Sequence, residues 1–219
     1  MLQAVLFDLD GTLANTDPIH TQVWREILEP HGYTVDDEFF KEKISGRLNE
    51  HLIKELLPQL SAAEGEQLAV DKEAHFRELA ASDLGRMPGF DELYRWIQSQ
   101  SLKTGVVTNA PRANAEFVLK VLELETAFDF VLIAGELPRS KPDPLPYTTG
   151  LDRCGVAAAE VIVFEDSKTG IQSAVAAKIS TVGVASTHEP DVLYSYGASL
   201  VIKEFNDARL QKLGLLVSR

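Results

Sequence analysis

Apolar positions along the 219-residue chain change their period near the start. Ala4-Val5-Leu6-Phe7 is a continuous apolar run with β-branched and aromatic character, the pattern of a strand buried on both faces. After Thr12 the period becomes helical and stays so to about Arg86. Thr16-Asp17-Pro18 reads as a helix start, with a capping side chain followed by proline. The helix runs to about Glu29 with Ile19, Val23, Trp24 and Ile27 on one face, and Pro30 and Gly32 close it. Phe39, Phe40 and Ile44 mark a short segment, and Leu52, Ile53, Leu56, Leu57 and Leu60 follow, interrupted by Pro58. Ser61-Ala62-Ala63-Glu64 is a capping box that opens a helix through Leu68, Phe76 and Leu79. The whole stretch predicts an inserted helical bundle.

Gly85 to Gly89, with Pro88 inside, punctuates the return, and beyond it helix and strand alternate. Helices are predicted at Phe90 to Ser99, Pro111 to Leu122, Asp143 to Cys154 and Thr169 to Lys178. Strands are predicted at Thr104 to Thr108, Phe130 to Ile133, Val161 to Phe164 and Thr181 to Val184. A last helix-strand-helix runs from about Pro190 to Leu216 around the strand Leu200-Val201-Ile202. Such alternation predicts an α/β fold, a parallel sheet with helices on both faces. Ligands then bind beyond the carboxyl ends of the strands.

Composition adds limits. A 45% hydrophobic and 25% charged chain has the make-up of a soluble protein with a sizeable core. The net charge of −12 repels phosphate backbones and argues against nucleic acid as a partner. Asp36-Asp37-Glu38 is a short solvated run, and no repeat or low-complexity segment interrupts the chain. The single cysteine, Cys154, sits in an apolar helical pattern, excludes an intramolecular disulfide and fits a reducing compartment. No basic leader and no long apolar segment appears, so the chain is expected to be mature and cytoplasmic, without a membrane partner. It is expected to work as a monomer or weak homodimer.

The strand ends carry the candidate chemistry. Asp8 and Asp10 follow the first strand at i, i+2 spacing, which places both carboxylates on one side of an extended chain. Two like charges there are costly without a cation between them. An Asp-Gly turn is the ordinary alternative for this stretch. The second strand ends in Thr108-Asn109, a pair that elsewhere would merely cap the next helix. Another strand ends in Glu165-Asp166-Ser167, and Lys141 precedes Pro142-Asp143-Pro144 in the adjoining loop. If these groups converge, their negative charge calls for a divalent ion. All-oxygen ligands with no Cys or His cluster favour Mg²⁺. Mg²⁺ and Lys141 could then receive a phosphoryl group, with the Thr108 hydroxyl on its oxygens.

These motifs, in this order and across the chain, resemble the haloacid dehalogenase (HAD) superfamily. The helical insertion is similar to the cap of its β-phosphoglucomutase and phosphoglycolate phosphatase-like branch. The resemblance implies a Rossmann-like core, residues 1–14 and 87–219, and a four-helix cap domain, residues 15–86. Carried over by position, Asp8 is the nucleophile that forms an aspartyl-phosphate, and Asp10 is the general acid and base. Asp8, Asp166 and the Asp10 carbonyl hold Mg²⁺, with Glu165 assisting. Thr108, Asn109 and Lys141 bind the phosphoryl group. The superfamily's dehalogenases lack a second acid where this chain has Asp10, and carbon–halogen chemistry needs neither proton donor nor metal. Dehalogenation is therefore not the activity expected.

Several cap and hinge residues are candidates for the substrate. Thr16, His20 and Trp24 share a helix face beside the hinge. His20 and Trp24 line the cap–core seam in this branch, although Trp24 also suits the cap core and His20 a solvated position. Gly46-Arg47 falls in the loop where the branch reads its substrate, and Lys72 sits where a cap lysine is often found; either is equally at home as a surface cation. The mutases carry serine-rich sequence and a lysine after the second strand, where this chain has Thr108-Asn109-Ala110-Pro111-Arg112, so Arg112 alone could substitute. Asn15 replaces an acid common at the hinge. The resemblance thus implies a Mg²⁺-dependent phosphatase of a small phosphorylated metabolite, a sugar phosphate or a phosphoglycolate-like compound. The alternatives are a β-phosphoglucomutase and a non-catalytic protein that keeps the fold.

Overall fold

Residues 1–82 and 84–215 are described by a computed structural model. The apolar run Ala4–Phe7 forms strand β1 with all its side chains buried, as a run without polar alternation requires. Helical structure follows: α1 (Asp17–Leu28), α2 (Asp37–Phe39, continued by a π-helical turn Phe40–Ile44), α3 (Asn49–Leu56) and α4 (Ala62–Ala80). The alternating part comprises α5 (Phe90–Ser99), β2 (Lys103–Thr108), α6 (Arg112–Val121), β3 (Phe130–Ile133) and α7 (Leu145–Cys154). It continues with β4 (Val161–Glu165), α8 (Lys168–Ala176), β5 (Ser180–Val184), α9 (Pro190–Ser195) and β6 (Leu200–Ile202). A 3-10 turn, Ala208–Leu213, stands where a last helix was expected; Leu216, the limit of that helix, lies outside the described residues.

The strands form one six-stranded sheet in the order β3-β2-β1-β4-β5-β6, every neighbouring pair parallel. The chain moves outward from β1 in one direction and then from β4 in the other. Beyond the strand ends at that reversal lies the crevice where parallel sheets bind ligands. Phe7 is in register with Phe164 on β4 and Val106 on β2, which sets Asp8 beside Glu165 and Val107. The Phe7 ring stacks on Phe164 at 5.3 Å and meets the edges of Phe90 and Phe205. The residue before Asp8 is thereby clamped in the core.

The helical insertion has an apolar cluster of its own, which includes Trp24, Leu28, Phe40, Ile44, Leu52 and Ile53. The Ser61 capping box forms as the sequence predicts. The Thr16 cap does not. Its hydroxyl makes no capping bond and donates instead to Asp10 Oδ1 at 2.8 Å, because the helix start lies against the strand end. Helix α7 starts two residues later than expected, after Pro144, since Pro142 and Pro144 hold the preceding loop out of helical pairing. Chain return from the insertion is marked by a bridge between Ala14 and Arg86 and a Met87 N–H bond to the Leu13 carbonyl at 2.8 Å. Cys154 is buried with a free thiol. No described helix is long and apolar enough to cross a membrane.

Candidate active site

Four strand-end segments meet where β1 and β4 finish. Lys141 is buried and gives all three ammonium hydrogens to protein acceptors: Asp8 Oδ1 at 2.6 Å, Glu165 Oε1 at 2.5 Å and the Val107 carbonyl at 2.7 Å. Burial pulls its pKa down, yet the two carboxylates outweigh burial and hold it above the usual lysine value. The lysine thus stays charged and ties β1, β2 and β4 together.

Carboxylate oxygens of Asp8, Glu165 and Asp166 all lie within 4.8 Å of one another. Burial, and then the Coulomb repulsion of Glu165, pushes Asp8 well above the usual carboxylate range. Burial, Asp17 and Asp8 do the same to Asp166. An all-oxygen donor set of this kind fits a hard divalent cation, which would remove that repulsion. Glu165 belongs to the group, but its oxygens are already engaged. Oε1 accepts from Lys141 and from the Tyr147 hydroxyl at 2.7 Å, and Oε2 accepts from the Ser167 hydroxyl at 3.2 Å. Both oxygens of Glu165 are thus bonded by protein donors while the residue stays within reach of Asp8 and Asp166. Asp166 is steadied by the hydroxyls of Thr187 at 3.1 Å and Thr12 at 3.4 Å.

Two glycines make the close packing possible. Gly11 has φ +74, and a Cβ there would sit 2.2 Å from Asp166 Oδ2. At Gly170, in the first turn of α8, a Cβ would overlap the Glu165 carboxylate at 1.9 Å. Gly170→Ala is therefore expected to displace Glu165 and with it Lys141, lowering kcat about tenfold or more, as phosphate release would show.

Asp10 faces the insertion. Its Oδ1 accepts from Thr16 and lies 3.7 Å from His20 Nε2. His20 stacks on Phe76 at 4.0 Å, and its Nδ1 accepts from the Lys72 ammonium at 3.0 Å, so the ring hydrogen is on Nε2, toward Asp10. Burial raises the Asp10 pKa, but the His20 ring and the Thr16 hydroxyl outweigh it and hold the carboxyl below its usual value.

A cavity of about 580 Å³ runs from Asp8, Asp10, Lys141 and Asp166 to the insertion. Thr108 lines it, its oxygen accepting from the Ala110 N–H at 2.9 Å with its hydrogen still to give. Asn109 donates to the Gly46 carbonyl at 3.0 Å, and Asn109 Oδ1 is buried without a partner. Trp24 is 1% exposed and belongs to the insertion's apolar cluster while also lining the cavity. The candidate cations Lys72, Arg47 and Arg112 all line the cavity, and each has a carboxylate partner. Lys72 is buried and pairs with Glu73 at 2.8 Å, Arg47 with Glu55 at 2.6 Å, and Arg112 forks onto Glu136 at 2.8 and 2.6 Å.

Glu73, Asn49, Asn114, Tyr147 and Thr187 were not singled out from the sequence. Glu73 could have been: with Phe76 and Ala80 it follows the i, i+3, i+7 stripe that α4 buries, and a carboxylate on an apolar stripe calls for partners. Read alone, the Lys72-Glu73 pair passes for a solvated one.

A family model described as "Haloacid dehalogenase-like hydrolase" matches residues 5–184. The chain is 29% identical over 214 residues to a validoxylamine A 7'-phosphate phosphatase of Streptomyces hygroscopicus subsp. limoneus, covering 98% of this chain and 99% of that protein. It is 31% identical over 208 residues to a phosphorylated carbohydrates phosphatase of Thermotoga maritima, covering 92% and 94%. Among solved structures, a β-phosphoglucomutase from Clostridium difficile matches with TM-score 0.84 at 25% identity, covering 98% of this chain and 96% of that one. With the sheet order, the strand-end acids and the buried lysine in place, the matches agree with the motifs: the chain belongs to the haloacid dehalogenase-like hydrolase family.

Proposed function

We propose that this protein is a phosphatase that hydrolyses a small phosphorylated metabolite, a sugar phosphate or a compound of similar size, through an aspartyl-phosphate. The single observation that carries the reading is the convergence of Asp8, Asp10 and Lys141 at one end of a cavity roomy enough for a sugar. Lys141 holds Asp8 Oδ1, which orients the other oxygen for in-line attack on phosphorus. An incoming phosphoryl group shares the lysine with Asp8, and the Thr108 hydroxyl donates to it. A phosphate beside Asp10 raises its pKa, so the group can carry a proton to the leaving oxygen and then take one from water. His20, Thr16 and Lys72 keep Asp10 aimed at that position.

Asp8 and Asp166, with the Asp10 carbonyl, would hold Mg²⁺, and the bound ion would neutralise charge on the phosphoryl oxygens. At a hundredfold excess over its Kd, Mg²⁺ is expected to raise the Tm by about 5–10 °C. Asp166→Asn should remove most of that shift, which circular dichroism melts would read.

The helical segment, residues 15–86, serves as a cap that closes over the site through the hinges at Asn15 and residues 86–88. Its docking point is Gly46, whose carbonyl accepts from Asn109 on the sheet side and from Thr169 on α8 at 2.7 Å. Gly46 has φ +71, and a Cβ would lie 2.6 Å from Thr169 Oγ1. Gly46→Ala is expected to cost about a hundredfold in kcat/KM, mostly in KM, because the cap no longer seats fully. Unchanged steady-state constants would remove the docking role.

The mutase reading needs a second phosphate to be held, and Arg112, the cation the sequence offers for it after the second strand, is forked onto Glu136. Hydrolysis is therefore favoured. A phosphate-release screen with Mg²⁺ over sugar phosphates, polyol phosphates, nucleotides and phosphoglycolate, with Asp8→Asn as blank, tests the proposal. Release from none of them overturns it, and isomerisation of β-glucose 1-phosphate with little release selects the mutase.

A further inference from the structure

The insertion end of the cavity holds a charged group that the chemistry at Asp8 does not use. Glu73 on α4 is buried, lines the cavity, and is surrounded from three elements. Its Oε1 accepts from Asn49 Nδ2, the first residue of α3, at 2.5 Å and from Lys72 Nζ at 2.8 Å. Its Oε2 accepts from Asn114 Nδ2 on α6. Arg77 Nη1 donates to Asn114 Oδ1 at 2.5 Å. Burial pushes Glu73 up, but the Lys72 charge, the His20 ring and the bonds from Lys72 and Asn49 outweigh it, so the carboxylate is ionised.

We propose that Glu73, with Asn49 and Asn114, is a specificity site that reads a hydroxyl on the uncharged end of the substrate and turns away a second anion. This rests on the phosphatase reading and narrows it to polyhydroxylated monophosphates.

The hydrogen-bond inventory leads there. A carboxylate offers roughly four acceptor positions. Three on Glu73 are filled by protein, which leaves one on Oε2. Each asparagine amide nitrogen keeps a second hydrogen beyond the one given to Glu73. A substrate hydroxyl matches both, giving its hydrogen to Oε2 and taking one from an amide. A carboxylate or phosphate oxygen has no hydrogen to give and meets a fixed negative charge. The cations around it are already engaged, Lys72 with Glu73 itself, Arg47 with Glu55 and Arg112 with Glu136, so none of the three is free to receive that anion. Beyond Lys141, which the phosphoryl group takes, Arg77 meets an amide and is the cation an anion could recruit among those described at the cavity wall.

The cavity's shape agrees. Phe40, Ile44 and Leu52 give it an apolar wall, against which the C–H face of a sugar ring can rest. At about 580 Å³ it far exceeds what a two-carbon acid phosphate would fill.

Matched pairs of phosphomonoesters test the inference. Steady-state kcat/KM is measured for fructose 1-phosphate against fructose 1,6-bisphosphate, and for glycerol 3-phosphate against 3-phosphoglycerate, with the native enzyme and Glu73→Gln. In each pair the native enzyme should favour the member whose far end carries only hydroxyls by about a hundredfold. Glu73→Gln, which keeps the shape and removes the charge, should narrow both ratios by about tenfold or more. Damage to packing alone would lower both members together and leave the ratios unchanged, which would overturn the proposal. So would a native preference for the member with a second anionic group, which would make Arg77 an anion receptor; Arg77→Ala would then abolish that preference. If none of the four compounds is hydrolysed but other phosphomonoesters are, the hydroxyl-reading proposal falls alone. If no phosphomonoester is hydrolysed, the phosphatase reading falls and takes this one with it.

Discussion

Asp8→Asn is expected to lower the rate of phosphate release by about 10⁴-fold or more, to the blank of the assay. The amide is nearly isosteric with the carboxylate and its oxygen still accepts from Lys141, which also keeps Glu165 and the Val107 carbonyl as acceptors. The lysine therefore stays in place while the nucleophilic oxygen is lost. The fold should not suffer. Asp8 is buried beside Glu165 with its pKa pushed up, so removing its charge relieves a repulsion in the metal-free protein. The Tm without Mg²⁺ should equal or exceed that of the native chain. Retention of more than a few per cent of native turnover in a properly folded Asp8→Asn protein would sink the nucleophile assignment.

Lys141→Met is the substitution with the largest expected effect on stability. It leaves Asp8 and Glu165 buried without their shared cation, and Tyr147 then faces an uncompensated carboxylate. Breaking a buried pair in this way costs about 3–5 kcal/mol. For a chain of this size that corresponds to a Tm lower by roughly 10 °C. Activity should vanish as well, because nothing then orients Asp8 or meets the phosphoryl group. Adding Asp8→Asn to Lys141→Met removes one of the stranded charges, so the double variant should recover part of the lost stability, a coupling that thermal melts of the four proteins measure directly. Additive losses would show that Lys141 and Asp8 do not act as a pair.

The same physics separates what could be read along the chain from what could not. The sheet elements were legible because each is a short apolar run bounded by turn residues, as at Phe130–Ile133 and Leu200–Ile202, both of which begin and end where expected. The α4 start was legible because a capping box needs only residues three apart. Thr16 misled for the opposite reason. Its hydroxyl had a local role available as a helix cap, but Asp10 was nearer once the chain folded back, and a charged acceptor binds a hydroxyl more strongly than a backbone N–H holds its oxygen. The candidate substrate cations line the cavity, but their partners were not legible along the chain. Lys72, Arg47 and Arg112 look free in sequence, yet Arg47 and Arg112 meet acids eight and twenty-four residues away.

The sequence by itself determined the α/β alternation, the strand ends that carry Asp8, Asp10, Thr108 and Asp166, and the lysine that makes their crowding tolerable. Those signals are local: a run of apolar residues, a carboxylate spacing, a loop stiffened by prolines. Only the tertiary structure decided which partner each charge takes. Glu165 meets both Lys141 and Tyr147, His20 stands between Lys72 and Asp10, and Glu73 stands with Asn49 and Asn114 at the other end of the cavity. Electrostatic pairing falls off within a few ångströms, so it depends on which residues meet in space and not on how far apart they lie along the chain.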